Sequence, residues 1–295
     1  REMGVSVMLT LHTRTARYIN TPASLNRTLF RVETSRSIPT ALRHKSAFII
    51  DGDDPPVGFG LYITIESSLI PQVRFDSLPS VVLPSHFSYL TAGDIIKTEI
   101  KNNSFWTVFR KRASANGVLL TERCNNFCLM CSQPPRQVQD HHLVDEIIEM
   151  MKLIEHDPHE LIFSGGEPTL LGDRFIELIQ CAKSFLPKTA IHVLSNGRNF
   201  SDYSLARRLA SVAHHDLMVG IPLYSDISYI HDYVVQADGA YDDTIRGILN
   251  LKRAGVAVEI RVVLHKQTVP RLKNLAEFIT RNLLFVDQVV LMGLE

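Results

Sequence analysis

The run Thr121-Glu-Arg-Cys-Asn-Asn-Phe-Cys-Leu-Met-Cys-Ser-Gln-Pro-Pro135 follows a strand-like stretch, Gly117-Val-Leu-Leu-Thr121, and precedes a second marked segment, Glu160-Leu-Ile-Phe-Ser-Gly-Gly-Glu-Pro168. Cys124, Cys128 and Cys131 stand at CxxxCxxC spacing. Three soft thiolates so close together can hold three irons of a four-iron cluster and leave the fourth iron open. Zinc is the competing reading, but it asks for four ligands, usually in two short pairs, and no second Cys-Xaa-Xaa-Cys pair occurs. The fourth cysteine, Cys181, lies in the helical pattern Phe175-Ile-Glu-Leu-Ile-Gln-Cys-Ala-Lys and reads as a small buried apolar residue.

Outward from these segments, strand candidates at 118–121, 160–164, 190–195, 216–223, 256–264 and 288–292 alternate with amphipathic stretches at 143–155, 174–185, 203–212, 241–254 and 271–284. Strand-helix alternation builds a parallel sheet, because each helix returns the chain to the same end of the next strand. Six strands with helices outside suit an incomplete βα barrel, a closure that periodicity alone does not decide. In such folds the chemistry collects where strands end. The cysteine run, Ser164-Gly-Gly-Glu-Pro168, Ser195-Asn-Gly197 and Ile221-Pro-Leu-Tyr-Ser-Asp226 all fall at such ends.

Residues 1 to about 115 have a different rhythm, with short apolar runs at 5–11, 29–32, 47–50, 61–65, 81–83 and 105–109. Asp51-Gly-Asp-Asp-Pro-Pro56 and Ala92-Gly-Asp94 break them as turns. The pattern predicts a small β-rich domain over 1–115, suited to docking or substrate presentation, joined through Ala113-Ser-Ala-Asn-Gly117 to an α/β domain over 116–295.

Bulk composition narrows the function. The 295 residues carry 31 Lys and Arg against 31 Asp and Glu, so no basic excess announces nucleic acid or an anionic membrane. No apolar window is long enough to span a bilayer and the N-terminus holds no signal-like core, so the cytoplasm is the expected compartment. Its reducing conditions suit an oxygen-sensitive cluster. The start at Arg1 and the stop at Glu295 after an apolar run read as cuts in a longer protein.

Other residues invite chemistry and bland readings alike. Gly165 and Gly166 let backbone approach a ligand, and Glu167 can accept hydrogen bonds from an ammonium, although Gly-Gly and Glu-Pro also make ordinary turns. Asn196-Gly197 is explicable as a tight turn alone. Arg261 sits inside a strand of a buried sheet and wants an anion: Glu259, expected on the opposite face, another acid, or a cofactor. His141, His142, His156, His159, His214 and His215 lack metal-ligand spacing and are expected to be solvated.

The cysteine run paired with Ser164-Gly-Gly-Glu-Pro168 resembles the radical S-adenosylmethionine (SAM) superfamily. That resemblance implies a partial (β/α)6 TIM-like barrel and two cofactors, a [4Fe-4S] cluster on Cys124, Cys128 and Cys131 and SAM chelated to its open iron through amino and carboxylate groups. It further implies that Gly165, Gly166 and Glu167 meet the amino group, that Phe127 packs near the adenine or shields the cluster, and that Ser195 and Asn196 lie near the cofactor. Ser225 would hold the ribose, with Asp226 as the runner-up, and Gly293-Leu-Glu295 would approach the adenine. Peptide-modifying members often carry an arginine three residues after a pair like His231-Asp232; here Val235 stands there, which leaves Arg261 for the cofactor carboxylate.

Cys131-Ser-Gln-Pro-Pro135, with Gly93-Asp94-Ile95-Ile96 and Leu291-Met-Gly-Leu-Glu295, looks most like the radical SAM maturases of the His-Xaa-Ser system. The implied reaction starts with an electron from a flavodoxin or ferredoxin, cleaves SAM, and takes hydrogen from an unactivated carbon of a peptide or small protein, beside a second radical SAM maturase. Two other readings remain: a radical SAM enzyme acting on a nucleobase or small heterocycle, and a non-catalytic metal-bearing scaffold that presents a peptide.

Overall fold

A computed structural model of the chain describes residues 10–51, 54–66 and 77–293. The predicted run 5–11, the turn 51–56 and the segment Gly293-Leu-Glu295 lie partly outside the described residues. The chain divides into two compact units, Arg1–Ala113 with Glu149–Glu155 and Ser114–Ile148 with His156–Glu295.

In the first unit β1 (His12–Thr13), β2 (Arg17–Ile19), β3 (Leu29–Glu33), β4 (Ser46–Ile49), β5 (Leu61–Ile65), β6 (Ser80–Leu83), β7 (Ile95–Glu99) and β8 (Ser104–Phe109) form one sheet in the order β1-β8-β7-β3-β4-β5-β6-β2. The central four, β3 to β6, run parallel. Alternation on β5 shows why: Leu61 and Ile63 join Phe30, Val32, Val81, Leu83 and Phe105 in one core, while Tyr62 packs with Phe48 and Phe59 in another. Strands buried on both faces read as continuous apolar runs. The sequence reading missed β7, where two isoleucines precede Lys97-Thr98-Glu99. Pairing with β3 on one side and β8 on the other supplies the strand character that local propensity lacks. The reading also missed β1, β2 and the single helical turn α1 (Thr40–Arg43).

The second unit holds six parallel strands, β9 (Ala115–Leu119), β10 (Glu160–Ser164), β11 (Ala190–Leu194), β12 (Leu217–Pro222), β13 (Ala257–Leu264) and β14 (Gln288–Gly293), adjacent in chain order. Between them in the chain run α2 (His142–Leu153), whose residues from Glu149 on are grouped with the first unit, α3 (Asp173–Phe185), α4 (Tyr203–Ser211), α5 (Ser228–Val235) with α6 (Ala240–Arg253), and α7 (Leu272–Asn282). Because the order never reverses, right-handed crossovers place every helix on the same face of the sheet. That face is the buried one, carrying Leu161, Phe163, Ile191, Val193, Val219, Ile221, Val258, Ile260 and Val262. The helices bury matching stripes, such as Phe175, Ile176, Leu178, Ile179 and Ala182 on α3. Each large side chain so buried contributes roughly 1.5–3 kcal/mol. The opposite face is left to loops and to the inward side chains of β11, β12 and β13.

Two expectations need correction. The first strand begins at Ala115, so Asn116-Gly117, expected as part of the join, pairs with Leu161 and Ile162 of β10. Parallel pairing along β10 overrides the turn preference of the dipeptide. Helix α5 was not anticipated, and it proves to hold the cysteine loop. Among the described residues no helix is long and apolar enough to cross a membrane.

Candidate active site

The loop after β9 turns back on itself: the Arg136 N–H donates to the Glu122 carbonyl at 2.9 Å. Asp140 clamps its entry, accepting from the Thr121 hydroxyl at 2.6 Å, the Glu122 N–H at 2.8 Å and Arg123 Nε at 3.1 Å. Burial raises the Asp140 carboxyl, but these donors and the Arg123 charge outweigh it and hold the group below its usual range. Further along, the Phe127 and Leu129 N–H groups donate to the Val235 and Val234 carbonyls at the end of α5. Cys128 and Met130 pack against Tyr224, Val234, Val235 and Ala240. Val235 is therefore buried structure where an arginine was looked for.

Cys124, Cys128 and Cys131 border one cavity of about 200 Å³, with Asn126, Gln133, Pro135, Gly165, Gly166, Leu194, Ser195, Asn196, Gly220, Pro222, Tyr224, Arg261, Val263 and Met292 completing its wall. Burial pushes the Cys128 thiol up to about 12 and Cys124 also up, with the neighbouring cysteine sulfurs adding to the effect. The thiolate form of these cysteines thus calls for a cation in the cavity.

Gly165 and Gly166 reach the cavity for a reason the sequence reading did not give. A Cβ on Gly165 would lie 2.5 Å from the Thr121 carbonyl oxygen, and one on Gly166 would lie 2.2 Å from that of Arg123. The Gly166 and Glu167 N–H groups donate to those same carbonyls at 2.8 Å each. The glycines bring the β10 loop against the cysteine loop.

Glu167 is wholly buried and does not border the cavity, and its oxygens are taken up by donors of the protein itself. Its Oε1 accepts from the Thr169 N–H at 3.0 Å, the Thr169 hydroxyl at 2.5 Å and the Ser195 hydroxyl at 2.8 Å, and its Oε2 from the Asn196 N–H at 2.7 Å. Burial raises the carboxyl and the four donors pull it back. The carboxylate ties the β10 and β11 loops together. Asn196 then donates to Asn125 Oδ1 at 2.6 Å and lies 3.9 Å from Cys124 Sγ.

Along β12 and the loop beyond it, Gly220, Pro222 and Tyr224 border the cavity. Ser225 is buried with its hydroxyl accepting the Ile227 N–H at 3.1 Å, and Asp226 is paired with Arg271 at 2.7 and 2.8 Å. Neither borders the cavity. Phe127 is 58% exposed and also lies off the cavity wall. Arg261 does line it, and Glu259, two residues along the strand, is on its own face rather than the opposite one, 2.7 Å from Nη1.

The sequence model of the Radical SAM superfamily matches residues 118–279, more than half of the chain. The chain belongs to the radical SAM superfamily. Its cofactors are those of the superfamily, a [4Fe-4S] cluster and SAM. A curated relative, Fe-coproporphyrin III synthase of Methanosarcina barkeri (strain Fusaro / DSM 804), is 26% identical over 159 residues, covering 51% of this chain and 37% of the relative. Among solved structures, anSMEcpe with bound AdoMet is similar at a TM-score of 0.50 and 19% identity, covering 61% of this chain and 50% of that one. The same protein with AdoMet and Kp18Cys peptide gives 0.50 and 17%, covering 61% and 51%. The chain thus spans about a third of the curated relative and half of these structures, whose likeness is one of fold.

The donor set fits a radical SAM cluster. The three thiols border one cavity and are the soft donors that an iron-sulfur cluster takes. Iron would replace the thiol protons that burial favours.

Sequence reasoning missed three contributors. Arg198 donates through Nη1 to the Asn125 carbonyl at 2.8 Å and Asn126 Oδ1 at 3.0 Å while pairing with Asp243 at 3.3 Å. Tyr224 and Asp140 are the others; Tyr224 lies just past the end of β12, and nothing local marks any of the three. Of the six histidines expected in solvent, His141, His142, His156, His159 and His215 are exposed while His214 is half-buried, and Cys181, expected to be buried, is half-buried on α3.

Proposed function

We propose that this chain is a radical SAM enzyme whose second unit is a partial barrel of six βα units and whose substrate is a peptide or small protein. The observation that carries the reading is the single cavity bordered by Cys124, Cys128, Cys131, Gly165, Gly166, Asn196 and Arg261. When bound, the [4Fe-4S] cluster and SAM supply a 5'-deoxyadenosyl radical that takes hydrogen from an unactivated carbon. The protein's own residues bind, orient and exclude water. Cys124, Cys128 and Cys131 would hold the cluster, backbone at Gly165 and Gly166 with Asn196 would meet the SAM amino group, and Arg261 would take its carboxylate. Leu194, Pro222, Tyr224, Val263 and Met292 keep the remaining wall apolar.

A peptide substrate of His-Xaa-Ser repeat type is supported by the resemblance carried by Cys131-Ser-Gln-Pro-Pro135, of which Gln133 and Pro135 stand at the cavity. The first unit would dock or present that substrate, a flavodoxin or ferredoxin would supply the electron, and a second radical SAM maturase would work alongside, all in the cytoplasm. A heterocyclic substrate is the second reading, favoured by the match to Fe-coproporphyrin III synthase. The test is anaerobic incubation of the reconstituted enzyme, SAM and reductant with a His-Xaa-Ser repeat peptide, followed by mass analysis. A mass change that requires all three components is expected; an unchanged peptide while SAM is cleaved favours the second reading.

A further inference from the structure

The inner face of a parallel sheet ordinarily carries apolar side chains, yet β10, β11 and β13 place Glu160, His192, Glu259 and Arg261 there in a connected line. Glu160 Oε1 lies 3.4 Å from His192 Nδ1, His192 Nε2 lies 3.6 Å from Glu259 Oε1, and the same Oε1 accepts from Arg261 Nη1 at 2.7 Å. Strand β12 stands between β11 and β13, and the line crosses it at Gly220, whose register partner on β13 is Glu259. A Cβ on Gly220 would lie 2.8 Å from His192 Nε2 and 3.0 Å from Arg261 Cδ. Glycine at that position is what lets the two side chains meet.

Of the four only Glu259 is buried, and a buried carboxylate is a poor stabilising device on its own, because desolvation offsets most of the Coulombic gain. Its geometry is better suited to holding one guanidinium still. Glu259 takes Nη1, while Nη2 rests 3.0 Å from the Met292 thioether, a weak acceptor. One edge of the fork is thus fixed and the other is aimed at the cavity wall without a strong partner. A carboxylate arriving there replaces a weak contact with a charge-assisted one and meets an arginine whose rotamer is already set.

We propose that Glu259 is a positioning residue that holds Arg261 as the anchor for the SAM carboxylate, with His192 packed beside Glu259 across Gly220. This rests on the reading of Arg261 given above. The test compares binding of SAM and decarboxylated SAM to the anaerobically reconstituted enzyme by equilibrium titration. The native enzyme prefers SAM, and Glu259→Gln is expected to reduce that preference about tenfold through weaker SAM binding, with decarboxylated SAM unaffected. Arg261→Ala is expected to reduce it at least as far, and His192→Leu by a smaller factor. If Arg261→Ala leaves the preference intact, the reading of Arg261 fails. If Arg261→Ala removes it but Glu259→Gln does not, the positioning role alone is overturned. Should Glu259→Gln not fold, Glu259→Asp, which keeps the charge but falls short of Arg261, decides the matter on the same readout. A purely structural brace would weaken both ligands equally and would overturn the proposal.

Discussion

At the scale of single residues, two buried groups bear the strain of the site. Glu167 has four donors and no oxygen to spare, so Glu167→Gln must set an N–H against one of them. The hydroxyls of Thr169 and Ser195 can rotate away, but the Asn196 N–H cannot. A loss of about 1–3 kcal/mol is expected, read as a lowered midpoint in denaturant unfolding. His231, 1% exposed, accepts the Tyr224 N–H at 3.3 Å, and burial holds its imidazole down to about 4. Below the ordinary value near 6.5 the unfolded chain takes up a proton that the folded chain refuses. The stabilising contribution is therefore complete above that value and drains as pH falls toward 4, by roughly 3 kcal/mol. Thermal unfolding of His231→Asn between pH 7 and 5 should lack that slope; a slope equal to the native one would place its origin elsewhere. The cysteines and Arg261 were legible at this scale because their chemistry is rare in a strand or a loop. Ser225 lies past the end of β12, in a loop where its hydroxyl accepts the Ile227 N–H, a local contact that no sequence period announces.

At the scale of elements, the cysteine loop depends on how α5 and α6 are joined. Asp232, at the end of α5, accepts the Gly239 N–H at 2.8 Å and the Tyr241 N–H at 2.7 Å, satisfying two of the free donors that open α6. Asp232→Ala should lower stability by about 1–2 kcal/mol, as loss of a cap does. Because the Val234 and Val235 carbonyls hold Leu129 and Phe127, the same change should make the cysteines more reactive to a thiol reagent in the cluster-free protein. An unaltered labelling rate would show that the loop does not lean on this corner. Helix α6 also closes on the β11 loop, with a Cβ on Gly247 lying only 2.1 Å from the Gly197 carbonyl oxygen. The long helices were legible from their apolar period. The eight-residue α5 was hidden behind the His-Asp pair, and β9 was displaced because Asn-Gly speaks locally for a turn while its pairing partner lies far along the chain.

At the scale of the whole molecule, strand and helix alternation made the six-stranded order of the second unit readable, since each crossover constrains the next strand to lie alongside. The eight-stranded sheet offered no such rule. Its order brings β1 beside β8 and β2 beside β6, pairings set by long-range burial that no local pattern announces. Cluster loading should act on the molecule as ligand binding acts on any fold, stabilising the state that binds. Chelating the iron is expected to lower the thermal midpoint of the reconstituted protein to that of the apoprotein, and Cys128→Ala should show the apoprotein value throughout. The most direct measurement is anaerobic reconstitution with iron and sulfide, metal analysis, and then exposure to dithionite and SAM. About four irons per chain, with methionine and 5'-deoxyadenosine formed and both lost on replacing Cys124, Cys128 or Cys131 by Ala, is the expected result; one zinc per chain and intact SAM would contradict it.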